Sequence, residues 1–226
     1  MKVLVLSDIH ANLFALNEYF NDILEADYVI CVGDIVGYYT YVNEVVDLMR
    51  KHCHIAVKGN HEYFLEHGAP DTCSEHVKWA LSQANRVISA SNRDYLKKLP
   101  LMWSGEIGGR RFLVAHGSPW SPITDYLYSD SDKIAKLSDF DVDYVICGQT
   151  HRPWIKSDCN PCIINAGSIG QSRHKIGVAN AVTIDTVTNE VEILEREYNV
   201  SRLVDACVSE GAGNWITKHL LRQDSE

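Results

Sequence analysis

The sequence lacks any hydrophobic run approaching the roughly 18 consecutive apolar residues of a membrane span, which excludes a transmembrane helix. It is also short of positive charge. Against 30 Asp and Glu it sets only 21 Lys and Arg, a formal net charge of −9 and the wrong sign for a general nucleic-acid binder. A phosphate-bearing ligand therefore needs positive charge supplied locally. Cysteine does not form a framework either: the seven residues at 31, 53, 73, 147, 159, 162 and 207 are odd in number, scattered and mostly in apolar surroundings. That pattern predicts reduced thiols and a cytoplasmic protein. Residues 2–6 already read as a buried strand, so no signal peptide is expected. Internal repeats, low-complexity tracts and long linkers are absent.

What remains is an ordinary globular composition, 46% hydrophobic and 23% charged over 226 residues, enough to bury a sizeable core in one domain spanning 1–226. Apolar residues 2–6 halt at Ser7-Asp8, and from Asn12 the positions Leu13, Leu16, Phe20 and Ile23/Leu24 recur at helical spacing. Tyr28 to Val32 repeats the pattern, followed by a helix over Asn43 to Arg50 and a third strand at Ile55 to Val57. This alternation predicts an α/β fold with a largely parallel sheet covered by helices. A helical insertion is expected at about 71–99, with Val77, Leu81, Ala84 and Ile88 as core packing and not a cofactor box. Further strands are expected at Arg111 to Ala115, Tyr144 to Cys147 and Cys162 to Asn165. A hairpin of Ala179 to Asp185 with Val191 to Tyr198 follows, then a C-terminal helical extension at about 201–226.

In open α/β sheets ligands bind at the carboxyl ends of the strands. Five strand ends in succession supply metal-ligand residue types: Asp8 and His10, then Asp34, then Asn60 and His61, then His116, then Gln149 and His151. Each alone reads as a turn or capping residue. Their coincidence, each beside a glycine or a small residue, argues for a compact centre. Oxygen and imidazole donors without thiolate suit manganese, iron or zinc. Asp34, in the middle of the set, is the natural bridge between two cations, which about 3.5–4 Å apart would activate water and clamp a phosphoryl group. The metals then provide the charge that an acidic protein lacks.

Asp8-Ile9-His10, Gly33-Asp34-Ile35-Val36-Gly37, Gly59-Asn60-His61-Glu62, Ala115-His116-Gly117 and Gly148-Gln149-Thr150-His151 resemble, in order, the motifs of the calcineurin-like metallophosphoesterases. Asn165 to Gln171 with Arg173, and Tyr198-Asn199-Val200, resemble its small prokaryotic branch of YfcE-like phosphodiesterases and asymmetric diadenosine tetraphosphate hydrolases. The resemblance implies a four-layer α/β/β/α sandwich, two mixed sheets flanked by helices. It implies two divalent metal ions, manganese first, with iron, zinc, nickel or cobalt as alternatives. Asp8, His10 and His151 would hold one ion, Asn60 and His116 the other, and Asp34 both. His61 would act at the leaving group without binding metal. The implied reaction is attack of a metal-bridging hydroxide on a phosphate ester, with a phosphodiester or dinucleoside polyphosphate as substrate. The partner expected is thus a small phosphorylated molecule, a nucleotide among the choices; self-association is left open.

One position departs from the family pattern: Gln149 stands where a histidine ligand of the second metal is usual, and an amide oxygen is a weaker ligand for transition ions. The alternatives are a protein phosphatase of the same fold or a catalytically degenerate scaffold, which Gln149 alone favours. Arg173 and Arg152 are candidates for an outer phosphate. Cys159-x2-Cys162 and His52-Cys53-His54 read as ordinary thiols and surface histidines, since one pair cannot fill a zinc site. Glu62 has two readings, an acid that orients His61 or a plain surface acid, and it is left out of the site.

Overall fold

A computed structural model describes residues 1–213 and 215–220. Its elements begin with strand β1 (Lys2–Leu6), helices α1 (Leu13–Asn17) and α2 (Phe20–Glu25), β2 (Tyr28–Cys31), α3 (Val42–His52) and β3 (Ile55–Ala56). Helices α4 (Asn60–His67), α5 (Glu75–Val87) and α6 (Ala90–Lys98) follow, then β4 (Met102–Ile107) and β5 (Arg110–Ala115). After a 3-10 helix at Ile134–Asp139 come β6 (Tyr144–Cys147), β7 (Pro153–Lys156), β8 (Cys162–Ala166), β9 (Val178–Asp185), β10 (Val191–Glu197), α7 (Val200–Ser209) and α8 (Trp215–Leu220). Of the expected C-terminal extension, residues 214 and 221–226 lie outside the described residues.

The strands make two mixed five-stranded sheets, ordered β10-β9-β1-β2-β3 and β4-β5-β6-β8-β7. In β1, Val3 and Val5 point between the sheets, where Ile30, Val114, Ile146 and Val182 meet them, while Leu4 and Leu6 point at the helices. Burial of both faces is why this strand reads as an unbroken apolar run. Every described α-helix contributes to the layer on the first sheet. Over the outer face of the second, Leu127 and Leu137 of the 3-10 helix region cover Leu113, Val145 and Ile163. The sandwich of two mixed sheets flanked by helices is thus the fold. No described helix is long and apolar enough to cross a membrane.

Local reading failed in three places. The single, largely parallel sheet is instead two, because β9 and β10 add antiparallel to β1, and β4 and β7 add antiparallel edges to the second sheet. The helix expected from Asn12 divides at Glu18-Tyr19. Tyr19 is buried in place of Phe20 and Leu24, because its hydroxyl reaches the carbonyls of Ala179 and Leu194 at 2.7 and 3.0 Å. Finally, Asn60 opens α4, a helix absent from the sequence reading.

All parallel strands of both sheets, β1, β2, β3, β5, β6 and β8, end at the same edge of the sandwich. Backbone bonds from Asp8 N to Gly33 O (3.0 Å), His10 N to Asp34 O (2.9 Å) and Gly148 N to His116 O (2.9 Å) tie the loops beyond them together.

Candidate metal centre

Asp8, His10, Asp34, His116 and His151 are at most 3% exposed. Asp8, His10, Asp34, Gln149 and His151 all have positive φ, between 51° and 62°, as do Ala11 and Tyr38 nearby. Left-handed backbone costs a non-glycine residue roughly 1 kcal/mol or more. Seven of the eight such described residues sit in these loops, so the surrounding bonds over-determine a strained arrangement. The strain aims side chains from successive strands at one point.

Three imidazoles converge in the same orientation. Nδ1 of His10 donates to Val36 O (3.2 Å), Nδ1 of His116 to Val32 O (2.8 Å) and Nδ1 of His151 to Gln171 O (2.7 Å). A carbonyl only accepts, so these bonds put a proton on each Nδ1 and turn the three Nε2 atoms inward. His10 Nε2 lies 3.2 Å from His151 Nε2. Burial holds His10 well below the usual imidazole range, so its Nε2 presents a lone pair there. Asp8 Oδ1 is buried with no donor in hydrogen-bond geometry, although His151 Nε2 is 3.0 Å away. Donor atoms of Asp8, His10, Asp34 and His151 all lie within 4.8 Å of one another. Acceptors crowded without donors are what a cation resolves, and the residues present fit one.

A second group adjoins the first. Asp34 Oδ2 is 3.3 Å from His116 Nε2 and 3.8 Å from His10 Nε2, placing this oxygen between the groups. Asn60 Oδ1 is 3.1 Å from His116 Nε2. Burial pulls His116 down, but Asp34 and Asp8 overcome it and raise its pKa to about 10. Burial pushes Asp8 up, and the neighbouring His151 and His116 bring it down to about 2. Gln149 donates from Nε2 to Ile123 O at 3.0 Å, while its Oε1 is buried without a donor.

His61 sits in the first turn of α4. Its backbone N donates to Asp34 Oδ1 at 2.8 Å, and its ring Nε2 stops 3.9 Å from Asp34 Oδ2. Burial lowers its pKa. Two glycines make this approach feasible. A Cβ on Gly37, where φ is +101°, would lie 2.0 Å from His61 Nδ1, and one on Gly59 would lie 2.1 Å from Asp34 Oδ1.

Glu62, open in the sequence between orienting His61 and a surface role, takes a third role. Far from being a surface acid, it is 2% exposed, and its carboxylate accepts from Asp34 N (2.9 Å), Val36 N (3.0 Å) and Gly59 N (2.9 Å). It clamps the Asp34 loop to the start of α4. Its position three residues after the N-cap was the available signal. Burial and the Asp34 charge raise its pKa to about 7, against the pull of its backbone donors.

Above the centre opens a cleft of about 380 Å³. Asp34, Asn60, His61, Gln149 and His151 line its base, residues 70–77 one wall and residues 123–126 another. The helical insertion thus begins as a cleft wall. Arg173 lines the cleft, whereas Arg152, exposed just before β7, is not among its lining residues. Among the described residues, neither Cys159 with Cys162 nor His52-Cys53-His54 belongs to a metal-holding group, all seven cysteines are free, and His54 Nδ1 accepts from Val29 N at 3.1 Å.

Fold and site together define a two-sheet α/β protein with a buried carboxylate and imidazole centre at the strand ends. The sequence model of the calcineurin-like phosphoesterase superfamily domain matches residues 1–189, and the chain belongs to that superfamily. It is 30% identical over 238 residues to the uncharacterized protein MJ0912 of Methanocaldococcus jannaschii, covering 96% of each chain. The crystal structure of a metallophosphoesterase from Sphaerobacter thermophilus is similar at 27% identity, with TM-score 0.84 and 98% of each chain covered. PH1004 from Pyrococcus horikoshii, at 20% identity, TM-score 0.83 and 97% of each chain, shares the fold.

Proposed function

We propose that this protein is a metal-dependent phosphoric ester hydrolase acting on phosphodiesters or dinucleoside polyphosphates, with two divalent ions, manganese first, in its centre. The observation that carries the reading is the convergence of the Nε2 atoms of His10, His116 and His151 around Asp8 Oδ1 and Asp34 Oδ2. Asp8, His10 and His151 would hold the first ion, Asn60 and His116 the second, with Asp34 shared and Gln149 offering its unpaired Oε1 where imidazole is usual. When bound, the ions supply Lewis-acid activation of water and charge for the phosphoryl oxygens.

The chain's own residues supply the rest. His61, fixed over Gly37 and too far from Asp34 Oδ2 for a hydrogen bond, is left to donate a proton or hydrogen bond to the departing oxygen. Arg173 at the cleft is the cation for an outer phosphate. Glu62 holds Asp34 in place. The seven free cysteines fit a reducing cytoplasm.

Gln149 supports one second reading, a scaffold that has lost catalysis. Assay of phosphomonoesters, diesters, dinucleoside polyphosphates and a phosphopeptide with several divalent metals separates these. Metal-dependent turnover of a diester or dinucleoside polyphosphate is expected. Turnover of the phosphopeptide alone would make the protein a phosphatase of proteins, and none at all with ions bound would make it a scaffold.

A further inference from the structure

The centre accounts for phosphorus chemistry but not for the upper cleft. There Tyr38, Phe64, Pro70, Val77, Ile123 and Tyr126 give apolar and aromatic walls. Among the described lining residues Arg173 is the only Lys or Arg, and Asp34 the only carboxylate. Thr72, Cys73 and Thr124 stand among them, so the walls pair a few small polar groups with aromatic faces, and a flat, weakly polar ring finds both.

Two of these faces are held in orientation. Tyr126, 43% exposed, lies beside Tyr128 with ring centroids 6.3 Å apart and planes 13° from parallel, within the range of an offset aromatic pair. Tyr38 is held by His76 of α5 at 5.7 Å, and His76 in turn stacks near Trp215 of α8 at 5.2 Å. The insertion and the C-terminal helices thus both support the cleft wall. An exposed, oriented ring beside a phosphoester centre has a solvent-facing apolar surface that the fold itself does not use.

We propose that Tyr126 is a specificity-determining residue: its ring stacks a nucleobase of the substrate, so that the cleft selects phosphoesters bearing a nucleoside. This rests on the phosphoesterase reading above and narrows it. The volume of the cleft is that of a small-molecule site, and stacking on a tyrosine face is tolerant of which base is present. Selection is therefore for a flat base over no base, without strong preference among bases.

The test uses manganese-loaded protein and titration calorimetry with adenosine 5′-monophosphate, ribose 5-phosphate and inorganic phosphate. The nucleotide is expected to bind about tenfold tighter than ribose 5-phosphate, the lower end of what one stacked base contributes. Tyr126→Ala should erase that ratio while leaving ribose 5-phosphate and phosphate binding unchanged, and Tyr126→Phe should retain it. Equal binding of nucleotide and ribose 5-phosphate in the wild type, or a ratio that survives Tyr126→Ala, overturns the subsite and leaves the hydrolase reading standing. Failure of all three to bind the loaded protein overturns both.

Discussion

Replacing Glu62 by glutamine exchanges one oxygen for an amide nitrogen at nearly constant volume. Oε2 receives two backbone donors, from Asp34 and Gly59, and Oε1 receives one, from Val36. The best placement of a glutamine keeps its oxygen under the first two and turns its NH2 against Val36 N–H, donor against donor. One hydrogen bond to a charged acceptor is lost and one buried N–H is left unpaired, a cost of roughly 1–3 kcal/mol. Removing a carboxylate that burial and Asp34 already push to about 7 offsets part of this. Net destabilisation of about 1–2 kcal/mol remains, or a fall in Tm of roughly 2–8 °C for a chain of this size. The larger effect should be on turnover, since Glu62 positions Asp34 and a small misplacement of a catalytic centre costs up to about 10²-fold. Thermal unfolding and steady-state kinetics of manganese-loaded Glu62→Gln measure both, with kcat expected to fall by about 10- to 100-fold and KM to change little. A variant with wild-type Tm and wild-type kcat would refute the claim that these three bonds hold the site loops.

His61→Ala should retain both ions by elemental analysis while losing about 10²–10⁴ in rate, the scale for a positioned acid; metal loss would show that His61 is a ligand. Gln149→His should tighten the more weakly held ion, because imidazole outranks an amide oxygen for transition metals, and manganese titration after mild chelation reads this. Two equally tight ions in wild type and variant would remove Gln149 as a weak point. Metal binding should also release a proton. Burial lowers His116 but Asp34 and Asp8 raise it to about 10, so in metal-free protein at pH 8 its Nε2 is protonated and must be vacated. Affinity should then rise by about tenfold per pH unit below 10, and calorimetry in two buffers of different ionisation heat counts the proton; pH-independent binding with no release contradicts it. The same shift stabilises the metal-free fold fully below pH 6.5, and that contribution is lost as pH rises through 10.

The centre was legible in the sequence because each ligand type follows a short apolar strand and the strands are local. Asp8, Asp34 and His116 needed only their strands to be placed. Glu62 was half legible: its place three residues after the N-cap marks a helix start, but an acid there looks the same in sequence whether its other partners are solvent or the backbone of a loop 28 residues away. Strands β4 and β7 escaped for a related reason. Met102–Ile107 is an edge strand that alternates between exposed and half-buried positions up to buried Ile107 and contains a glycine, and Pro153–Lys156 begins with a residue that cannot donate. Tyr126 and Tyr38 became cleft residues only once separate loops converged.

Counting metal ions per chain tests the central claim most directly. Wild-type protein and Asp34→Asn, each loaded with manganese, desalted and analysed for bound metal, compare a centre with and without the shared carboxylate oxygen between His10 and His116. Two ions per chain are predicted for the wild type, and fewer than one for Asp34→Asn with an unchanged circular dichroism spectrum. Two ions in both proteins, or none in the wild type, would contradict the account.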